Sequence, residues 1–226
     1  MKKIIHQLKW GEIMEQIDNV RSIGEDIIMM ENPVIPMAME HPFKVDMLHV
    51  IISTKGISRG KINLQPYTAQ SPCMVAILAG QILEYDCVSD DFEGVSIVMS
   101  QRFTDNLNIE DAFSAYVAVR DNPVIPLTEN AMEAVQTYCS MMFKTVKADD
   151  NPHRLEIARN LTRAFFYGAG YYFYKAAAGQ KNRNEAFADR FMRLVQSHFK
   201  THREVDFYAG KMGLTPKYMS SVIRKS

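Results

Sequence analysis

The hydrophobic pattern of this chain changes period once, and the change limits the fold to an antiparallel sheet structure followed by helices. From about Glu25 to Ser100, short apolar runs occur at Ile27 to Met30, Val45 to Ser53, Gly60 to Leu64, Cys73 to Leu78, Ile82 to Val88 and Val95 to Ser100. Gly56, Gly60, Pro66, Pro72, Gly80 and the pair Asp90-Asp91 punctuate them. Runs of this length, spaced about ten residues apart, predict the strands of an antiparallel barrel or jelly roll and argue against alternating strand and helix units. Beyond Thr128 the period becomes helical. Met132, Val135, Cys139, Met142, Phe143 and Val146 share one face, Thr128 offers the N-cap oxygen, and the stretch from Asp149 to Pro152 ends the helix.

A second long helix is expected from about His153 to Ala178. Its part from Ala164 to Ala178 is apolar nearly all round and needs cover on several sides. Gly168 and Gly170 would let another backbone approach closely, which makes these helices a candidate homodimer interface. Packing within the same chain would cover them equally well. Gly179 to Glu185 is polar and free of apolar residues, as a linker would be. The predicted organisation is an N-terminal arm and barrel over 1–127, a helical region over 128–180 and an all-α C-terminal part over 181–226, so the fold class is α+β and multidomain.

Composition narrows the function. With 226 residues and 47% hydrophobic content the chain can build a core. No run of eighteen apolar residues is present, and the polar stretch Gln7 to Asn19 follows Met1-Lys-Lys-Ile-Ile-His6, so neither a membrane span nor a secretory signal is expected. Cys73, Cys87 and Cys139 are odd in number, with no Cys-x-x-Cys pair, which predicts reduced thiols and a cytoplasmic setting. His41 and His49 lie eight apart, without the close His-x-His that aims two imidazoles at one metal. There is no phosphate-cradling glycine loop and no Gly-x-Ser-x-Gly elbow. No catalytic residue, metal or cofactor is therefore expected. Ile13, Ile17 and Val20 fall at helical spacing, which suits a short helix or arm across the barrel mouth. The pentapeptide Asn-Pro-Val-Ile-Pro occurs at Asn32 to Pro36 and at Asn122 to Pro126 with unlike flanks, and reads as two extended connectors.

The last twenty-two residues carry the functional signal. Val205, Tyr208, Ala209 and Met212 form one apolar stripe, Gly213 suits a left-handed helix end, and Thr215-Pro216 supplies an N-cap oxygen and a first helical residue. Two short helices joined by a tight elbow follow, as in a helix-turn-helix, although an ordinary helical hairpin has the same local pattern. In the second helix Met219, Val222 and Ile223 face inward, leaving Lys217, Tyr218, Ser220, Ser221, Arg224 and Lys225 outside. In a helix-turn-helix those groups would meet DNA, with Lys217, Ser220 and Ser221 on bases and Arg224 and Lys225 on phosphates. Lys181 to Ser226 holds ten Lys and Arg against four Asp and Glu, a net of +6, and the neutral whole leaves −6 on the rest. A basic tail on an acidic body fits a polyanionic partner at one end only.

Phe191-Met-Arg-Leu-Val-Gln-Ser-His-Phe199, then Val205 to Met212, then Gly213 to Lys225, resemble the first half of an AraC-type DNA-binding domain. The segment Tyr67 to Gly80 resembles the cupin-like sensor of AraC relatives. The resemblance implies an effector-sensing transcription regulator: a cupin-like barrel binding an unknown small molecule, dimerisation helices, and a reader for double-stranded promoter DNA. It also implies a second helix-turn-helix of about sixty further residues, so the chain given is expected to hold only the first unit, whose few phosphate contacts limit affinity. Effector candidates are Trp10, Arg59, Tyr67 and Tyr85, each with an aromatic or charged group useful in a pocket. Trp10 serves equally well as a core anchor. Two alternatives stand beside the regulator: a ligand- or protein-interaction module that does not read DNA, and a metal-dependent cupin enzyme, which the histidine count disfavours.

Overall fold

The computed structural model describes residues 6–8, 20–32, 41–109, 112–178, 187, 190–191, 194–195, 198–199 and 201–223. The chain forms two compact units, residues 1–109 with 119–172 and residues 110–118 with 173–226.

The first unit is built on eleven described strands: β1 (His6–Leu8), β2 (Arg21–Ile23), β3 (Ile27–Glu31), β4 (Phe43–Val45), β5 (Leu48–Lys55), β6 (Ile57–Ile62), β7 (Gln65–Gln70), β8 (Cys73–Ile77), β9 (Ile82–Val88), β10 (Glu93–Met99) and β11 (Val124–Pro126). They divide into a five-stranded sheet of order β1-β4-β9-β6-β7 and a six-stranded sheet of order β11-β8-β5-β10-β3-β2. Every pairing is antiparallel except β1 with β4. The fold is α+β with antiparallel sheets. Of the barrel or jelly roll expected, a closed barrel is not formed among the described residues. The edge strands β2 and β11 are only three residues long and offer few backbone groups for the ladders that closure requires.

One core lies between the sheets. Ile28, Met30, Ile51, Cys73, Val75, Ile77 and Val98 come from the six-stranded sheet, and Phe43, Val45, Ile62, Ala69 and Leu83 from the five-stranded one. Ile27, Met29, Ile52, Met74, Ile97 and Met99, alternating with the first group, are buried as well. The middle of the six-stranded sheet is thus buried on both faces, and β3 and β8 read in sequence as nearly unbroken apolar runs. The five-stranded sheet alternates instead: β6 buries Ser58, Gly60 and Ile62 and turns Arg59 outward.

Here the expected strand Gly60 to Leu64 is corrected. β6 ends at Ile62, Asn63 and Leu64 form a two-residue turn with φ of 50° and 69°, and β7 pairs back along β6 with Ile62 opposite Gln65. Two helices that the sequence did not suggest, α1 (Gln101–Asp105) and α2 (Ala112–Asp121), precede Thr128. The second Asn-Pro-Val-Ile-Pro copy is extended, and its last three residues pair with β8 as β11. The first copy, beyond Asn32, lies outside the described residues, as do Ile13 and Ile17 of the expected arm.

Helix α3 (Glu129–Lys147) starts where Thr128 Oγ1 accepts the Ala131 N–H at 3.3 Å, and it buries Val135, Tyr138, Cys139, Met142, Thr145 and Val146. The next helix, α4 (Arg154–Ala178), follows the Asp149-to-Pro152 break. Tyr138 joins the two: its ring stacks on Phe165 at 4.4 Å and its hydroxyl lies 3.1 Å from Thr162 Oγ1. Met141, Ile157 and Tyr167 remain exposed, and among the described residues nothing lies within 4 Å of a Cβ at Gly168. Burial pushes the Cys139 thiol up to about 12, so it is an inert core group.

Candidate functional site

In the second unit the elbow is closed by backbone chemistry. Helix α5 (Val205–Met212) ends at Gly213, whose φ of 69° and ψ of 34° are left-handed. The Leu214 N–H then bonds the Ala209 carbonyl at 2.9 Å and the Gly213 N–H bonds the Gly210 carbonyl at 3.1 Å. This is the paired closure of a Schellman motif, with Leu214 returning to the same apolar cluster as Ala209. Three residues later α6 (Pro216–Ile223) begins. Thr215 Oγ1 accepts the Tyr218 N–H at 3.3 Å, and the Thr215 carbonyl accepts the Met219 N–H at 3.0 Å. Pro216 has no N–H to satisfy and fits the first helical position.

What holds the two helices together is a small core of Tyr208, Ala209, Met212 and Met219, flanked by Phe187, Phe191, Leu194, Val195, Phe207, Leu214 and Ile223. Tyr208 is fixed at both ends: its ring meets the edge of Phe191 at 5.8 Å, and its hydroxyl donates to the His202 carbonyl at 2.6 Å. His202 stacks on Phe207 at 3.8 Å. One member of the expected stripe departs from it. Val205, the first residue of α5, is 47% exposed, and Phe207 packs against the cluster instead.

Burying Met219 fixes which side of α6 meets solvent. Lys217, Tyr218, Ser220 and Ser221 are all exposed, and Lys217, Ser220 and Ser221 share one face at the i, i+3, i+4 spacing. That face offers an ammonium and two hydroxyls, with the phenol of Tyr218 beside them. Arg224 and Lys225 lie outside the described residues.

Of the three described effector candidates, Tyr67 and Tyr85 are brought together and Arg59 is not. Trp10 lies outside the described residues, and Arg59 is exposed on the outer face of β6. Tyr67 and Tyr85 point the other way, into the space between the sheets, where both pack on the core. Gly60 stands opposite both, pairing with Tyr67 on one side and Tyr85 on the other. A Cβ at Gly60 would sit 2.1 Å from the Glu84 carbonyl oxygen and 3.0 Å from the Tyr67 ring, so only glycine lets β9 and the ring come this close. Burial pushes the Tyr67 phenol up to about 12 against the pull of its Ser58 hydrogen bond. Tyr85 is held well above the ordinary tyrosine range by burial and by Tyr67. Both phenols are neutral hydrogen-bonding groups at physiological pH.

The pairing of two interior polar residues escaped the sequence reading. His49 Nε2 and Ser96 Oγ share a 2.6 Å hydrogen bond, both buried. His49 invited attention only as a possible metal ligand; the available signal was its place two residues before Ile51, on the inward side of β5. Among the described residues no group of three His, Cys, Asp or Glu is placed to hold a metal. No described helix is long and apolar enough to cross a membrane.

No family model matches the chain, and no curated protein matches it. Among solved structures it is similar to the AraC-like transcriptional activator CuxR, at 11% identity over 89% of this chain and 68% of that one, with a TM-score of 0.38. It is also similar to ToxT from Vibrio cholerae O395, at 13% identity over 88% and 72% of the two chains, TM-score 0.35. A ToxT structure bound to (E)-4-(8-methylnaphthalen-1-yl)but-3-enoic acid matches at 11% identity over 89% and 93%, TM-score 0.31.

Proposed function

We propose that the protein is a DNA-binding transcription regulator of the AraC type, in which α6 enters the major groove. The observation that carries this reading is the Gly213 elbow together with the burial of Met219, which leaves Lys217, Tyr218, Ser220 and Ser221 on the open side of a short helix. A helix presented this way sends its N-terminal side chains to base edges while flanking cations, here Arg224 and Lys225, meet phosphate. The N-terminal amides of α6 add positive potential on that side.

In this reading residues 1–127 are a cupin-like effector-sensing region, 128–180 mediate homodimerisation and 181–226 read promoter DNA in the cytoplasm. Tyr67 and Tyr85 are the effector contacts the inner face supports best. Regulation follows from linkage: an effector that favours one arrangement of the two readers in a dimer changes how often they match the spacing of two half-sites. Exposed Met141, Ile157 and Tyr167 supply apolar surface for the second copy.

The test is binding of the full chain to duplex DNA by fluorescence anisotropy across a salt series. The expected result is a linear fall of log affinity with log salt, with a slope near −0.9 for each phosphate neutralised. Salt-independent binding, or none at low salt, contradicts the proposal.

A further inference from the structure

We infer that Lys217 is the residue by which α6 distinguishes one base pair from another, and that the base it reads is guanine; this rests on the DNA-reading role proposed above. Lys217, Ser220 and Ser221 lie on one exposed face. At 1.5 Å per helical residue that face extends about 6 Å from Lys217 to Ser221, roughly two base-pair steps of 3.4 Å. So small a reading surface discriminates only through groups whose hydrogen-bonding character is one-sided.

The chemistry of the three side chains differs in that respect. A lysine ammonium has donors and no acceptor. In the major groove guanine presents two acceptors, N7 and O6, whereas adenine pairs an acceptor with a donor, cytosine presents a donor, and thymine presents one acceptor beside a methyl group. A donor-only group therefore fits guanine best and is repelled by the amino groups of adenine and cytosine. Serine hydroxyls donate and accept equally well, and they bond to any of the four. Ser220 and Ser221 therefore add affinity and orientation without choosing a base. The Tyr218 phenol has the same two-way character and sits about 100° round the helix from Lys217.

The structure also fixes where Lys217 starts. Thr215 Oγ1 and the Thr215 carbonyl hold the amides of Tyr218 and Met219, and Met219 is buried in the core of the unit. The Lys217 backbone is thereby clamped in the first turn, and only its four-carbon stem is free to reach. That is the arrangement a specificity residue needs: a rigid origin and a single long donor.

The experiment is selection from a randomised duplex library with the full chain and with Lys217→Ala, followed by anisotropy on the selected duplexes. Because Lys217 is exposed, the variant is expected to keep the wild-type circular dichroism and melting temperature. Wild-type selections are expected to share a guanine at one position, and Lys217→Ala selections to lose that position while keeping the others. Replacing that guanine with 7-deazaguanine, which lacks the N7 acceptor, is expected to weaken wild-type binding about tenfold and to leave the variant unaffected. If Lys217→Ala selects the same motif and loses affinity equally on every duplex, Lys217 contacts phosphate and the inference is overturned. Wild-type binding without any guanine preference overturns it too, while leaving the DNA-binding role in place. A wild-type chain that binds no duplex at low salt removes both.

Discussion

His49 is 3% exposed on the inward side of β5, and burial lowers its pKa from 6.5 to about 4. The folded protein therefore holds a neutral imidazole over a pH range in which the unfolded chain binds a proton. Between pH 6.5 and 4 the unfolded state carries more protons at this site, so stability rises with pH there and is lost as the medium is acidified. The shift corresponds to a loss on the order of 3 kcal/mol by pH 4. Urea unfolding of the wild type and of a His49→Leu, Ser96→Ala double variant checks this: the double variant should show a markedly shallower fall in stability across that window. Equal pH slopes would contradict it. The pair was not legible in the sequence, since a lone histidine in an apolar run gives no sign of its partner. Tyr67 and Tyr85 did stand out as aromatics, but their common neighbour is Gly60, and that meeting depends on a register shift between β6 and β9 at Arg59 and Gly60.

At the scale of elements, the β6–β7 turn departs from local preference. Two-residue hairpin turns with positive φ at both positions favour Asn-Gly, and here the second position is Leu64, 78% exposed with φ of 69°. A branched side chain in this conformation costs roughly 1–2 kcal/mol, so Leu64→Gly is expected to stabilise the protein by about 1 kcal/mol in thermal or urea unfolding. Destabilisation would mean that Leu64 makes contacts that outweigh its strain. The same residue hid the hairpin from the sequence reading, because an apolar side chain in the turn extended the run from Gly60 to Leu64. β7 was hidden as well, since only Tyr67 and Ala69 of Gln-Pro-Tyr-Thr-Ala-Gln face inward. Strands buried on both faces, such as β3 and β8, were legible as continuous apolar runs. The α5–α6 elbow was legible for another reason: glycine after the helix and Thr-Pro before the next act within a few residues, with no dependence on distant pairing.

For the molecule as a whole, two units are distinguished, and the division passes through α2 and α4. The change from strands to helices was legible in the sequence, and barrel and two-sheeted jelly roll both stayed open, but the strand order was not legible, because it depends on contacts between residues far apart in the chain. The proposed reading face at the C-terminal end was more legible, because its exposure is a local consequence of burying Met219. If this face meets DNA, removing its groups must weaken binding without unfolding the unit. The decisive measurement is the anisotropy-derived affinity of the full chain for a mixed-sequence duplex at low salt, compared with a Lys217→Ala, Ser220→Ala, Ser221→Ala variant of unchanged melting temperature. A DNA-contacting face on α6 requires at least a tenfold loss, about 1.4 kcal/mol; an affinity equal to that of the wild type would rule out that role.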